Sequence, residues 1–398
     1  MQYQKICVIG LGYIGLPTAA LLATKGFEVW GVDIRSDVVE KLNRGEIHIV
    51  EQDLDVLVKS AVYSGKFTAN LKPTPADTFI LAVPTPFHED KTPDMSYVED
   101  ATCSIIPFLT ENNLIILEST SPVGTTEKIQ AVVAKMRPEL KKIYFAHCPE
   151  RVIPGKVLRE LVENDRIVGG VDAESTEKAA SFYRTFVVGA VLLTDAKTAE
   201  MCKLTENAFR DVNIAFANEL SLICNKLNIN VWELIRMANH HPRVKILQPG
   251  SGVGGHCIAV DPWFIVASAP EISPLLRAAR QVNDAKPWWV IQQVKKAAQS
   301  FKNPVIVCLG VAFKADIDDL RESPSLMIAK HLRDAHIGEL LVCEPNIEQL
   351  EGFELVSMET AILRADVLVI LVDHRPFKKL QKKFLEGKVV IDTRGVLS

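Results

Sequence analysis

Residues 249–263 gather the side chains best suited to covalent chemistry. In Pro249-Gly250-Ser251-Gly252-Val253-Gly254-Gly255-His256-Cys257-Ile258-Ala259-Val260-Asp261-Pro262-Trp263, four glycines fall within six residues. Cys257 follows, between His256 and an Asp four positions on. Glycines let a backbone approach a ligand closely and take positive φ. A thiol beside a loop whose N–H groups can hold an anionic or sugar ligand is placed as a nucleophile would be. A Cys packed in a turn as a small hydrophobe gives the same local pattern, and the loop alone does not separate the two.

A second group precedes it. From Thr198 to Leu227 there is no Gly or Pro, and Met201, Leu204, Ala208, Val212, Ala215, Phe216, Leu220 and Ile223 recur at helical spacing. The pattern predicts one long helix joining two domains. Lys203, Asn207 and Arg210 stand at i, i+4 and i+7, hence on one face; a solvated face has the same pattern. His240-His241-Pro242-Arg243 lacks further ligands at suitable spacing, so no metal is expected. The eight cysteines are scattered without a CxxC pair, and those in apolar runs, such as Cys7 and Cys308, read as core. Disulfides are not expected.

The element that must serve this chemistry with a redox partner lies at the N-terminus. Lys5-Ile6-Cys7-Val8-Ile9 reads as a buried parallel strand running into Gly10-Leu11-Gly12-Tyr13-Ile14-Gly15, followed by a helical pattern and a second strand ending in Asp33. Strand, glycines, helix, strand and acid fall in the order of a dinucleotide-binding unit. Gly10 makes the tight turn, Gly12 admits the pyrophosphate to the helix N-terminus, and Gly15 permits helix–strand contact. Asp33 accepts from a ribose 2′-OH and repels a 2′-phosphate, which favours NAD over NADP; Arg35 pulls the other way.

Further strands at 78–83, 114–118 and 143–146 end in polar rims: Pro84-Thr85-Pro86, Ser119-Thr120-Ser121-Pro122-Val123-Gly124-Thr125-Thr126, and His147-Cys148-Pro149-Glu150-Arg151-Val152. Ligands of doubly wound sheets meet these carboxyl ends. Strands at 166–170 and 187–193 close the first domain near residue 195. Helices occupy much of 196–300, and a second α/β unit begins with Pro304-Val305-Ile306-Val307-Cys308-Leu309-Gly310 and lacks G-x-G-x-x-G. The fold expected is α/β: two Rossmann-like doubly wound domains, 1–195 binding NAD and 301–398, around a helical segment 196–300 that carries the Cys loop.

Composition agrees. The 398 residues are 48% hydrophobic and 24% charged, with a formal net charge of -4. That balance gives globular cores and argues against nucleic-acid binding. No apolar run reaches the roughly 18 residues of a membrane span, and the N-terminus lacks signal-peptide architecture. A cytosolic protein is expected.

Six motifs then line up in order: Gly10-Leu11-Gly12-Tyr13-Ile14-Gly15-Leu16-Pro17, Glu118-Ser119-Thr120-Ser121-Pro122-Val123-Gly124-Thr125-Thr126, Cys148-Pro149-Glu150-Arg151-Val152, Lys203-Leu204-Thr205-Glu206-Asn207, the Gly-Gly-His-Cys loop, and Phe313-Lys314-Ala315-Asp316-Ile317-Asp318-Asp319-Leu320-Arg321-Glu322-Ser323-Pro324. Over nearly its whole length the chain resembles the UDP-glucose/GDP-mannose 6-dehydrogenase family. Branches of that family acting on UDP-glucose or GDP-mannose typically carry Ser before the Cys and Lys before the Asp. Here His256 and Val260 stand in those positions, as in the N-acetylhexosamine branch, with Ser251 where that branch usually has Pro.

The resemblance implies a homodimer built on the long helix and a small helical region. It also implies NAD-dependent oxidation of a UDP-N-acetylhexosamine, N-acetyl-D-mannosamine foremost, from C6 alcohol to uronate for surface-polysaccharide precursors. The C2 epimer, UDP-N-acetylglucosamine, would use the same machinery, and no residue decides between them. By the same resemblance Cys257 captures the aldehyde as a thiohemiacetal and then a thioester, Lys203 is the proton donor/acceptor and oxyanion stabiliser with Asn207 orienting it, and Glu150, Asp261 and Thr120 order or activate water. Arg151, Val152, Lys203, Asn207, Arg210, His241, Arg243, Gly254 and Lys314 are implied at the UDP-sugar. Tyr13, Ile14, Asp33, Thr85, Thr126 and Arg321 join the glycines at NAD.

Overall fold

Short apolar runs bounded by Gly or polar turns become strands here because helices cover both faces of each sheet. In the computed structural model, residues 4–88, 90–153, 155–255 and 257–398 are described, so His256 of the Cys loop lies outside the described residues. Two compact units divide the chain, Met1–Glu206 with Ala267–Ala269, and Asn207–Val266 with Pro270–Ser398.

The first unit holds strands β1 (Lys5–Ile9), β2 (Glu28–Val32), β3 (Phe67–Asn70), β4 (Thr78–Leu81), β5 (Leu114–Leu117), β6 (Tyr144–His147), β7 (Arg166–Gly170) and β8 (Val191–Asp195). They form one sheet in the order β3-β2-β1-β4-β5-β6-β7-β8, parallel throughout except that β7 runs against β6. Helices α1 (Gly15–Thr24), α2 (Ser36–Asn43), α3 (Leu54–Tyr63), α4 (Ser96–Ile105), α5 (Thr125–Met136), α6 (Val157–Glu163) and α7 (Ala173–Tyr183) connect them. Alternation along β1 sends Ile6 and Val8 into one core with Leu16 and Leu22, and Cys7 and Ile9 into another with Phe79 and Leu81. Strand order reverses at β1, whose neighbours are β2 and β4. The segments leaving β1 and β4 therefore flank the crevice where such sheets take ligands.

Helix α8 (Ala196–Leu227) starts in the first unit and continues into the second; its 32 residues span about 48 Å at the usual rise. Then come α9 (Val231–Ala238), α10 (Asp261–Ser268) and α11 (Pro274–Ala298). The second unit's sheet comprises β9 (Val305–Leu309), β10 (Glu339–Cys343), β11 (Glu354–Leu355), β12 (Val367–Ile370) and β13 (Val389–Asp392), with α12 (Pro324–Asp334) and α13 (Met358–Arg364). Its order is β11-β10-β9-β12-β13, all pairs parallel. Among the described residues no helix is long and apolar enough to cross a membrane.

Local differences from the sequence reading have physical causes. The strand expected at 187–193 is instead β8, because the Val188 and Gly189 amides donate to Val162 O at 2.7 and 3.3 Å and turn the chain there. Strand β3 carries the short run Phe-Thr-Ala-Asn, too polar to stand out. Helix α10 starts only four residues beyond Cys257, where glycine density had indicated loop alone.

Candidate active site

In the first unit the glycine turn is shaped for a dinucleotide. Gly10 has φ +92°, and a Cβ there would lie 2.5 Å from Ala82 O. A Cβ on Gly15 would lie 1.8 Å from Gly10 O, so the start of α1 needs that glycine to sit against the turn. Gly12 faces open space within 4 Å, leaving the helix N-terminus accessible to a phosphate. Tyr13 is exposed and Ile14 half-buried beside it. At the end of β2, Asp33 Oδ2 accepts from Leu11 N at 3.2 Å and Oδ1 from Arg35 N at 3.0 Å. A carboxylate offers about four lone-pair positions, so capacity for a ribose diol remains. Arg35 is drawn aside by Asp37, Nη2 to Oδ2 2.6 Å. These residues fit NAD.

Thr85 is half-buried beyond β4. Thr126 is buried in the first turn of α5, and its hydroxyl donates to Glu200 Oε1 at 2.7 Å. Glu200 also accepts from Thr126 N at 2.8 Å and Gly124 N at 2.5 Å. A carboxylate from α8 thus caps α5, and burial pushes its pKa up despite those bonds. The sequence reading had not singled out Glu200.

At the rim beyond β6, Glu150 is buried. Its Oε1 accepts from Arg151 N at 2.5 Å and its Oε2 pairs with Arg166 Nη1 at 3.1 Å. The Arg151 side chain extends to Glu206 of α8, Nη2 to Oε1 2.8 Å. Val152 packs at the edge of the first core. Thr120 is half-buried two residues beyond Glu118. Lys203 is half-buried on α8. Burial pushes His147 down to about 3, with the Lys203 charge adding to the fall, so this imidazole stays neutral.

The second unit holds the thiol. Cys257 is exposed, and its carbonyl accepts from Val260 N at 3.1 Å and Asp261 N at 2.9 Å, which starts α10. Asp261 is 3% exposed and its Oδ2 accepts from Asn207 Nδ2 at 2.5 Å. The glycines before the thiol pack closely against the motif at 313–324. A Cβ on Gly254 would meet Glu322 O at 2.5 Å, and one on Gly255, at φ +83°, would meet the Phe313 ring at 3.0 Å. Ser251 bonds Ser325, Oγ to Oγ 3.0 Å. Arg210, His241, Arg243 and Lys314 are exposed, with His241 Nδ1 accepting from Arg243 N at 3.3 Å. Arg321 pairs with Asp319, Nη2 to Oδ2 2.6 Å.

A buried polar chain holds the mouth of this loop. Arg280 Nη1 donates to Asp211 Oδ1 at 2.6 Å, Asn283 Nδ2 to the same oxygen at 2.7 Å, Asn218 Nδ2 to Asn283 Oδ1 at 2.9 Å, and Gly250 N to Asn218 Oδ1 at 2.9 Å. The signal for it was present in the sequence: Asp211 and Asn218 interrupt the apolar stripe of the long helix at core positions.

The second sheet has its own acid. Glu344, at the end of β10, corresponds in place to Asp33 but is spent. Its Oε2 accepts from Val311 N at 2.8 Å, Ala312 N at 3.2 Å and His374 Nε2 at 3.1 Å, and its Oε1 from Asn346 N at 3.1 Å. Burial pushes its pKa up, but the His374 and backbone bonds outweigh burial and hold it low.

Residues 4–187 match the NAD binding domain of the UDP-glucose/GDP-mannose dehydrogenase family, 197–285 its central domain and 307–398 its UDP binding domain. The chain belongs to the UDP-glucose/GDP-mannose dehydrogenase family. As a member of it, the protein is an NAD-dependent oxidoreductase. It is 56% identical over 411 residues, covering all of this chain and 97% of the relative, to an NDP-N-acetyl-D-galactosaminuronic acid dehydrogenase of Ralstonia nicotianae. It is 53% identical over 418 residues, the full length of both, to a UDP-N-acetyl-D-mannosamine dehydrogenase of Yersinia pestis. The structure of the UDP-N-acetyl-mannosamine dehydrogenase Cap5O from S. aureus superposes with TM-score 0.90 at 44% identity, covering 99% of this chain and 95% of that one.

Proposed function

We propose that this family member oxidises UDP-N-acetyl-D-mannosamine at C6 to the uronate, with Cys257 as covalent catalyst, in the cytoplasm and for surface-polysaccharide precursors. The observation that carries the chemistry is an exposed thiol on a glycine-built loop, followed one turn later by a buried carboxylate bonded to Asn207. The relatives at 53% identity support the sugar.

NAD, when bound on the glycine turn beside Asp33, supplies the hydride acceptor for both oxidations. Lys203 takes the proton of the C6 hydroxyl as the alcohol becomes an aldehyde. The Cys257 thiolate adds to that aldehyde, and the resulting alkoxide is stabilised by Lys203 and Asn207. Loss of a second hydride from this sp³ carbon leaves a thioester. Glu150, with Asp261 and Thr120 ordering the network, takes a proton from the attacking water; the C–S bond breaks and the thiolate leaves. Covalent capture keeps the aldehyde from escaping between oxidations. Arg151, Val152, Arg210, His241, Arg243, Gly254 and Lys314 recognise the UDP-sugar, the guanidiniums suiting a diphosphate. Tyr13, Ile14, Thr85, Thr126 and Arg321 complete the NAD site.

Residues 1–195 bind NAD, 196–300 carry the thiol and the dimer contact, and 301–398 bind the uridine diphosphate. Homodimerisation uses α8, where Phe209, Phe216 and Ile223, seven residues apart, are 68%, 52% and 46% exposed, the spacing of a helix–helix seam.

A second reading, oxidation of an N-acetyl-D-galactosamine nucleotide, is favoured by the relative at 56% identity. A panel of UDP-N-acetyl-mannosamine, -glucosamine and -galactosamine, scored for NADH per uronate, tests all of this. The reading expects two NADH per uronate with the manno sugar preferred, and no uronate from Cys257→Ala. Preference for another epimer would replace the substrate, and a one-to-one stoichiometry would remove the mechanism.

A further inference from the structure

We propose that Arg166 is a positioning residue for Glu150, fixing its carboxylate for thioester hydrolysis, and that Tyr183 and Glu118 hold Arg166 in turn. The inference rests on the reading of Glu150 as the group that activates water.

The antiparallel turn of the sheet brings these groups together. Strand β7 pairs with β6 at Ala146↔Gly170 and His147↔Gly169, so the first residue of β7 comes alongside the segment that leaves β6 toward Glu150. Arg166 is 2% exposed and Glu150 7%, and Nη1 meets Oε2 at 3.1 Å. With the Arg151 amide on the other oxygen at 2.5 Å, both ends of the Glu150 carboxylate are pinned. The Arg166 guanidinium lies 5.4 Å from the centre of the Tyr183 ring, and the Tyr183 hydroxyl donates to Glu118 Oε1 at 2.7 Å.

Stability alone does not account for this cluster. A buried ion pair is commonly replaceable by apolar side chains at little or no loss, and a core arginine kept for structure has its donors satisfied. Here Arg166 Nε and Nη2 and Glu118 Oε2 are buried without a hydrogen-bond partner among the described residues. For the other groups that face the guanidinium, burial opposes the charged form. Burial pushes Glu118 up to about 7 against the pull of Arg166, and burial likewise raises the Cys148 thiol and the Tyr183 phenol.

The step served is balanced without further reagents. Water oxygen bonds to the thioester carbon, Glu150 takes the water proton, the C–S bond breaks, and the electron pair leaves on the Cys257 sulfur.

The test compares Glu150→Gln, Arg166→Met, Arg166→Lys and the double variant Glu150→Gln/Arg166→Met, mixed with UDP-N-acetyl-D-mannosamine and NAD. The rate of the first NADH burst and the lifetime of the Cys257 adduct, by intact mass after quenching, are read separately. Arg166→Met is expected to lengthen adduct life about 10- to 100-fold, the scale of a misplaced catalytic group, with the burst rate changed less than about threefold. Arg166→Lys should fall between. In the Glu150→Gln background, Arg166→Met should add nothing. Should Arg166→Met prove too unstable to purify, the double variant removes both charges and Arg166→Lys keeps both while losing the planar guanidinium, so these two carry the comparison. Wild-type adduct decay in the Arg166 variants while Glu150→Gln traps adduct, or additive slowing in the double variant, overturns the inference. Absence of any adduct even in Glu150→Gln instead overturns the underlying reading of the mechanism.

Discussion

Asn218 on α8 accepts the amide of Gly250 at 2.9 Å, across 32 residues of chain, and so ties the mouth of the Cys257 loop to the buried array of Asp211, Arg280 and Asn283. Replacing Asn218 by Ala leaves that buried amide unpaired, which costs on the order of 1–3 kcal/mol. We expect lower stability in urea unfolding and a fall in kcat greater than the change in KM. Loss of stability with unchanged kcat would confine Asn218 to the scaffold.

Glu118 gives a pH signature. Its pKa rises from the ordinary 4.5 to about 7 in the folded chain, chiefly by burial. The protonated form is therefore favoured by folding. The stability it contributes is complete below pH 4.5 and is lost as pH rises through 7. Glu118→Gln does not titrate, so between pH 4.5 and 8 it should gain on the parent protein by about 3 kcal/mol. Urea unfolding at the two ends of that range measures this; a difference independent of pH refutes it.

Two acids are expected to set the choice of cofactor. Asp33→Asn should lower kcat/KM for NAD about 10- to 100-fold, the worth of one or two charge-assisted hydrogen bonds. NADP should remain the poorer substrate in that variant, with Asp37 still competing for Arg35. That pair is exposed and weak, and adding Asp37→Ala should release Arg35 toward a 2′-phosphate. Equal NADP use by the single and double variants argues against this role for Arg35.

The stripe on α8 predicts the assembly. Phe216→Asp places a charge in the middle of the seam and should convert a dimer to a monomer in sedimentation at micromolar concentration. An unchanged mass would locate the contact elsewhere.

Much of this was legible in the sequence because the signals were periodic or dense. Apolar runs gave most strands of both sheets, the Gly- and Pro-free stretch gave α8, and the glycines marked both the turn after β1 and the Cys257 loop. What escaped was contact made across long separations. Arg166 read simply as the start of a strand, yet it meets Glu150 because β7 reverses direction. Glu200 is one of several acids on a helix, and only the packing of α8 against α5 makes it a cap. Short β3 lacked enough apolar length to declare itself.

The engagement of Glu344 divides labour between two similar sheets. With its oxygens committed to Val311, Ala312, His374 and Asn346, Glu344 has no capacity left for the ribose diol proposed for Asp33. The proposed four-electron oxidation needs two molecules of coenzyme, and on that reading the seat on the glycine turn after β1 serves both in succession. On that reading the sugar has to outlast the exchange, and the proposed bond to sulfur is a means of retention that does not depend on the nucleotide being there.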